Sequence, residues 1–153
     1  DTLAQRLEHS LEVQLPCIQM KAPDTSIVPI SISRMPLDKL LEQGNGLARA
    51  ILSRPEQPLM VASTDMTHYE SGKQAREKDF MALGKVLEMD PAGLYEVVVE
   101  HGISMCGVLP TVVMLQAAKM LGAEKAELVL YSNSGDVTGD QSEVVGYAGV
   151  MIS

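Results

Sequence analysis

The sequence predicts an α/β fold, a three-layer α/β/α sandwich with a mixed central sheet. Two observations support this prediction. Segments with the pattern of strands alternate with segments of helical periodicity, and no linker or low-complexity tract separates them. The 153 residues match the usual size of one domain, and 46% of them are hydrophobic, which is enough for a buried core. We therefore expect a single domain over residues 1–153.

The first half of the chain predicts helix, strand, helix and strand in turn, over residues 7–21, 26–33, 36–53 and 59–64. Pro16 falls inside the first helical pattern and should kink or interrupt it. Pro29 suggests that the second element is an edge strand or carries a bulge, because proline cannot donate to a ladder. Pro36 suits the start of the second helix, whereas Gly44 and Gly46 should weaken its middle.

The second half predicts three helices followed by two strands, over residues 72–89, 90–102, 106–122, 126–132 and 143–152. Asp90 is suited to cap the helix over 90–102. Gly122 is suited to end the buried helix over 106–122. The last strand is long and apolar, which favours an interior position in the sheet.

Charge and composition exclude several classes of partner. The formal net charge is −8, whereas nucleic acids and anionic membranes are bound through basic patches. The chain has no Trp and one Phe, so aromatic platforms for stacked bases are not expected. No apolar run is long enough to cross a bilayer, and DTLAQRLEHS does not resemble a signal peptide. Two cysteines do not make a disulfide framework, so we expect a cytoplasmic protein.

The segment STDMTHYE, residues 63–70, turns polar where the predicted strand 59–64 ends. Ligands of open α/β sheets bind beyond the carboxyl ends of strands. His68 can move protons near neutral pH there, and Asp65 can fix its tautomer. In the alternative interpretation, Asp65 caps a turn and His68 is a surface residue. The residues alone favour neither interpretation.

Two further clusters carry groups that bind metals. Glu8, His9 and Glu12 have the spacing of one helix face, although composition favours a solvated face over a metal site or a polar network. Cys106 precedes Gly107 at a predicted helix N-terminus, which favours the thiolate, the form that binds metal or attacks. The alternative for Cys106 is a buried structural cysteine.

Four segments together resemble one family in their order and spacing: EHSLEVQLP, STDMTHYE, MCGVLPTVVML and YSNSGDVTGDQSEVVGYAGV. They resemble the Memo-like family, also named AmmeMemoRadiSam system protein B, and the resemblance covers essentially the whole chain. The last segment is the longest and the most specific. Family members are longer, so this chain looks like their C-terminal part and an incomplete family fold.

The resemblance implies a fold similar to class III extradiol ring-cleaving dioxygenases, which use non-haem Fe(II). It implies that Cys106 is a metal ligand, that His68 is a catalytic acid or base with Asp65 beside it, and that Glu8 and His9 line the same pocket. The family takes two further histidine ligands from segments without a counterpart here. The Fe(II) site is therefore expected to be incomplete in this chain.

These expectations lead to one function and two alternatives. The function is metal-dependent redox or dioxygenase-type activity on a small substrate of unknown identity. The alternatives are a non-catalytic adaptor that binds peptides, as eukaryotic relatives are described, and an inactive truncated domain.

Missing N-terminal strands would leave the sheet uncovered, which predicts self-association or a partner chain. The family's association with radical-SAM and AMMECR-type proteins implies a shared pathway.

Overall fold

The computed structural model describes residues 9–153, which fall into two compact units divided between Arg34 and Met35. The first unit contains a 3-10 turn, Glu12–Gln14, and helix α1, Leu15–Lys21. Pro16 lies in the first turn of α1 and begins the helix instead of interrupting it, because the first N–H groups of a helix have no intrahelical partner. The predicted helix over 7–21 is therefore shorter than its periodicity suggested.

The predicted strand over residues 26–33 is wrong. These residues form neither helix nor strand, and most of their side chains are exposed. A strand requires a ladder of hydrogen bonds with a neighbour, and the described residues provide none for this segment. Pro29 also removes one of the donors that such a ladder would use.

The second unit contains four long helices: α2 (Leu37–Leu52), α3 (Gly72–Leu87), α4 (Pro91–Glu100) and α5 (Val108–Met120). They agree with the predictions to within a few residues. Side chains cap two of them, as Ser71 accepts a hydrogen bond from the amide of Gln74 and Asp90 accepts one from the amide of Gly93. The predicted cap at Asp90 is thus confirmed.

Helix α2 is continuous through Gly44 and packs against α5. A Cβ atom on Gly44 would lie 2.6 Å from the Cβ of Gln116, closer than side chains can approach. The glycine therefore permits close contact between the two helices instead of weakening α2. Leu40, Ala48 and Leu115 are fully buried within these helices.

Three strands are described in this unit: β1 (His68–Glu70), β2 (Ala126–Asn133) and β3 (Val144–Ile152). A single helical turn, α6 (Gly135–Thr138), follows β2. The strands lie in the order β1-β3-β2 with both pairs antiparallel, so β3 is the interior strand. Helix α3 packs against all three strands. The predicted α/β class is confirmed, although the sheet of the described residues is antiparallel and not mixed.

The predicted strand over 59–64 is also wrong, since the first strand of this unit begins only at His68. Residues 59–64 have no ladder partner among the described residues, and Leu59 is 89% exposed. The end of the segment instead contacts the loop before α5, where Thr64 accepts a hydrogen bond from the amide of Gly107. Within residues 9–153, no helix is both long and apolar enough to cross a membrane.

Candidate functional site

Asp65, His68 and Cys106 come together at one place in the second unit. A carboxylate oxygen, an imidazole nitrogen and the Sγ atom of these residues lie within 4.8 Å of one another. Asp65 and His68 belong to the segment that leads into β1, and Cys106 belongs to the loop before α5. The first two side chains are partly buried and the cysteine is exposed. The cluster therefore joins two segments that are 41 residues apart.

The backbone of residues 65–68 is anchored by four consecutive amides. Each amide donates a hydrogen bond to a different part of the chain. The acceptors, in order, are Cys106 Sγ at 3.2 Å, the carbonyl of Gly146 at 2.9 Å, Asp79 Oδ1 at 2.8 Å and Ser104 Oγ at 2.7 Å. This anchoring fixes the direction in which the chain presents the side chains of Asp65 and His68.

The imidazole of His68 is oriented by a backbone carbonyl. Its Nδ1 lies 2.9 Å from the carbonyl oxygen of Ser104, and a carbonyl can only accept, so this contact requires the proton on Nδ1. The lone pair of the neutral ring is then on Nε2, which lies 3.8 Å from Asp65 Oδ2. That distance is too long for a hydrogen bond but short enough for charge attraction. Ser104, and not Asp65, therefore fixes the tautomer.

Cys106 accepts a backbone hydrogen bond at its sulfur. The amide of Asp65 donates to Sγ from 3.2 Å. The hydroxyl of Thr64 lies 3.9 Å from the same sulfur. The cysteine is exposed, so the buried structural role considered from the sequence does not describe it.

Gly107 accounts for the tight contact beside the cysteine. A Cβ atom at this position would lie 2.4 Å from the Cβ of Thr64 and 2.5 Å from the carbonyl oxygen of Ser63. The amide of Gly107 donates to Thr64 Oγ1 at 2.8 Å. Helix α5 begins at the next residue, Val108, so Cys106 lies just before the helix N-terminus, as its sequence position suggested.

The two predicted pocket residues at the start of the chain belong to the part of the sequence before the second unit. Glu8 lies outside the described residues. His9 belongs to the first unit, where its Nδ1 lies 3.3 Å from Glu12 Oε2 and both side chains are largely exposed. Their place in the pocket stays a prediction.

Three residues with a role in the geometry were not singled out from the sequence: Thr64, Asp79 and Ser104. The sequence contains a weak signal for Ser104. It precedes Cys106 by two residues, and alternate residues of an extended chain lie on the same face, so Ser104 could be expected near the cysteine. Asp79 had a stronger one. It is an acid at helical spacing from the buried residues Ala75 and Ala82, and so falls on the apolar face of α3.

A cleft of about 560 Å³ lies in the same unit and begins beside His68. Tyr69 lines it, together with Glu70, Lys78 and His101. Tyr69 has a φ of 58°, a left-handed conformation that is unusual for a bulky side chain. None of the three cluster residues lines this cleft, so the cluster and the cleft are neighbouring but distinct features.

The donor set of the cluster fits a divalent transition metal. Bonds of about 2.0–2.3 Å to one ion place neighbouring donors about 3–4.5 Å apart, so small side-chain rotations would bring these atoms onto an ion. Imidazole suits iron and zinc, carboxylate suits harder ions, and thiolate favours softer ones. Asp65, His68 and Cys106 could therefore hold Fe²⁺ or Zn²⁺, with no more than three ligands from these side chains.

Comparisons with known proteins agree on one family. The Memo-like protein family matches residues 1–151. A MEMO1 family protein of Methanocaldococcus jannaschii is 42% identical over 156 residues, which are 99% of this chain and 54% of that protein. MEMO1 family proteins of Aquifex aeolicus and Methanosarcina mazei are 41% and 39% identical over 99% of this chain, and the match covers 56% and 57% of their lengths. The chain spans about half the length of the curated relatives it matches.

Proposed function

The chain belongs to the Memo-like protein family, and we propose that its Asp65–His68–Cys106 cluster is part of a metal-dependent redox site of the dioxygenase type. The substrate would be a small molecule. One observation carries the proposal: a carboxylate, an imidazole and a thiol converge within 4.8 Å at the meeting point of two distant segments. A bound Fe(II) would supply the redox chemistry that these side chains lack.

Cys106 is assigned the role of metal ligand. Its side chain is exposed, and the hydrogen bond from the amide of Asp65 holds the sulfur beside the other two side chains of the cluster. Because Gly107 lacks a side chain, the loop that carries Cys106 can lie directly against Thr64. The thiol is therefore held in place by the backbone on both sides of it.

His68 is assigned the role of acid or base. The contact between Nδ1 and the carbonyl of Ser104 leaves Nε2 to accept a proton from a substrate. The carboxylate of Asp65 lies 3.8 Å from Nε2, beside the position that the proton would take. Ser104 keeps the ring in one orientation.

With His68 used for proton transfer, Asp65 and Cys106 are too few to hold iron. We therefore propose that further ligands come from polypeptide equivalent to the other half of the curated relatives, whether in the same chain or in a partner. The activity of the whole protein would depend on that contribution.

Anaerobic titration with Fe(II) tests the assignment of Cys106. The titration uses a polypeptide that also contains the equivalent of the relatives' other half, and it compares the unmodified form, Cys106→Ser and the control Cys17→Ser, which changes the other exposed cysteine. Fe(II) affinity should fall at least about tenfold in Cys106→Ser and stay unchanged in Cys17→Ser. Equally tight binding by all three proteins would remove Cys106 from the site.

Binding of a phosphorylated peptide is the alternative that the family suggests. Such sites rely on clusters of arginine. The cations that follow His68 have other partners. Arg76 stacks over Phe80, Lys78 pairs with Glu70, and Lys73 lies 4.0 Å from Glu77. These contacts favour the redox proposal. Measurable affinity for a phosphotyrosine peptide that is lost in His68→Ala would favour the alternative instead.

A further inference from the structure

We propose that Asp79 is a positioning residue for the cluster. Its carboxylate would fix the backbone between Asp65 and His68, so that both side chains face Cys106. The importance of this for metal binding rests on the proposed function, but the positioning itself concerns only residues of this chain.

Asp79 is buried to an extent that is rare for an acid. Its side chain, on α3, has 0% exposure. Charged side chains are almost never fully buried unless they are paired or hydrogen-bonded. Among the described residues, no cationic nitrogen forms an ion pair with it. Hydrogen bonds must therefore compensate for its burial.

Each oxygen of the carboxylate has one donor. Oδ1 accepts from the amide of Thr67 at 2.8 Å, and Oδ2 accepts from the hydroxyl of Tyr131 at 2.8 Å. Both oxygens of the carboxyl group therefore act as acceptors. Thr67 lies between Asp65 and His68 in the chain, so a movement of its amide would displace both of them.

The second partner of the carboxylate is itself held firmly. The ring of Tyr131 packs edge-on against Phe80 with centroids 5.1 Å apart, and the guanidinium of Arg76 lies 5.3 Å from its centroid. Burial raises the pKa of Tyr131, and the hydrogen bond to Asp79 raises it further. The hydroxyl therefore stays protonated and continues to donate to Asp79.

Gly146 leaves the room that this arrangement needs. A Cβ atom on Gly146 would lie 2.0 Å from Asp79 Oδ2. The same glycine exchanges backbone hydrogen bonds with the anchored segment, accepting from the amide of Met66 and donating to the carbonyl of Thr67, both at 2.9 Å. Strand β3 thus holds Met66 and Thr67, and helix α3 holds Thr67 as well.

The backbone next to the segment is irregular. Tyr69 follows His68 directly and has a φ of 58°, although its side chain is 77% exposed. It is the extra residue of a bulge in β1, because His68 pairs with Val145 and Glu70 pairs with Val144 of β3. The hydrogen bonds of residues 65–68 therefore hold the chain directly before the point at which the ladder is interrupted.

Hydrogen exchange tests the positioning without any metal. We would compare amide exchange in the unmodified protein, Asp79→Asn and Tyr131→Phe. In Asp79→Asn the amides of residues 65–68 should exchange at least about tenfold faster, while the amides of α2 and α5 keep their rates. Tyr131→Phe keeps the bond to Thr67 and should give a smaller increase at the same amides. It also serves as the test variant if Asp79→Asn does not fold.

A merely structural role for Asp79 would give a different pattern. All of the most protected amides, including those of α2 and α5, would then exchange faster together. That result, or unchanged exchange at residues 65–68, would overturn the inference.

Titration with Co(II) tests the consequence for the site, because a cysteine thiolate bound to Co(II) has a characteristic absorption band. Asp79→Asn should weaken Co(II) binding by about 10–100-fold and alter the band. Leu40→Ala, which removes a fully buried side chain from α2, should leave the affinity and the band unchanged when only folded protein is compared. Faster local exchange with unchanged Co(II) binding would overturn the role of Asp79 in the site. If this chain alone binds no Co(II), the same titration is made with a polypeptide that also contains the equivalent of the relatives' other half, and the exchange pattern decides whether Asp79 positions the segment.

Discussion

Gly107 and Thr64 approach each other so closely that a Cβ atom on the glycine would lie 2.4 Å from the Cβ of the threonine. The amide of Gly107 also donates to the hydroxyl of Thr64 at 2.8 Å. This contact joins the loop that carries Cys106 to the segment that carries Asp65. The geometry of the cluster therefore depends on the absence of a side chain at one position.

Gly107→Ala should separate these two segments. We expect a loss of about 1–3 kcal/mol in the free energy of unfolding, because the carbonyl of Ser63 and the side chain of Thr64 must both move. Co(II) affinity should fall as well. Gly84→Ala is the matched control, since a Cβ there meets nothing within 4 Å and alanine in a helix should add about 0.5–1 kcal/mol. Urea denaturation measures the free energy of unfolding of both variants. Equal changes in the two variants would contradict the steric explanation.

His68→Gln should separate a proton-transfer role from a ligand role. A base that is not a ligand can be replaced with little change in metal affinity, so Co(II) binding should stay within about threefold of the unmodified protein. His101→Gln, at the end of α4, is the control for loss of a histidine. A tenfold or larger loss of Co(II) affinity in His68→Gln alone would make His68 a ligand.

Thr67→Val should stabilise the protein. The hydroxyl of Thr67 is fully buried and has no hydrogen-bond partner among the described residues, whereas the anchoring bond to Asp79 uses the backbone amide. Removing an unpaired buried hydroxyl should add about 1 kcal/mol to the free energy of unfolding. Thermal and urea denaturation measure this change in stability. A lower stability would indicate that an ordered water pairs with the hydroxyl.

Asp136→Asn should change how stability depends on pH. The hydroxyl of Ser132, together with the amide of Asn133, holds the pKa of Asp136 below its usual value near 3.8. A lowered folded-state pKa means that Asp136 contributes stability above its unfolded-state pKa and loses that contribution as pH falls through the folded-state pKa. The unmodified protein should therefore be more stable than Asp136→Asn at neutral pH, with the difference shrinking in acid below about pH 4. A difference that is constant with pH would contradict this.

The apolar residues on the sheet should promote association of two copies. Val129, Leu130 and Met151 on β2 and β3 are 67%, 68% and 63% exposed. Exposed apolar residues on neighbouring strands commonly mark contact surfaces. Sedimentation velocity should show association that rises with concentration and is reduced in Leu130→Lys. A monomer at all concentrations would contradict the expected self-association.

The helices could be predicted from the sequence because their signals are local. Periodicity located α2 to α5, and Asp90 caps α4 as expected. The strands over 26–33 and 59–64 were wrongly predicted for the opposite reason. Both segments have the composition of strands, but a strand exists only where a neighbour completes its hydrogen bonds, and a local pattern does not report that neighbour.

The candidate site could be predicted from the sequence only in part. The sequence indicated the chemistry of Asp65, His68 and Cys106, but their grouping came from a family resemblance, because a contact across 41 residues leaves no local signal. The orientation of His68 could not have been predicted. It depends on the carbonyl of Ser104, a backbone atom that every residue possesses.

The four anchored amides at residues 65–68 also determine when the site can exist. Their acceptors lie in α3, in the loop before α5 and in β3, so every later part of the second unit must fold before the anchoring is complete. Contacts so distant in sequence form late, because closing long loops must precede them. A fragment that ended before Gly146 would carry all three cluster side chains and still lack their arrangement. During synthesis, the emerging chain would thus expose a cysteine and a histidine well before it could bring them together.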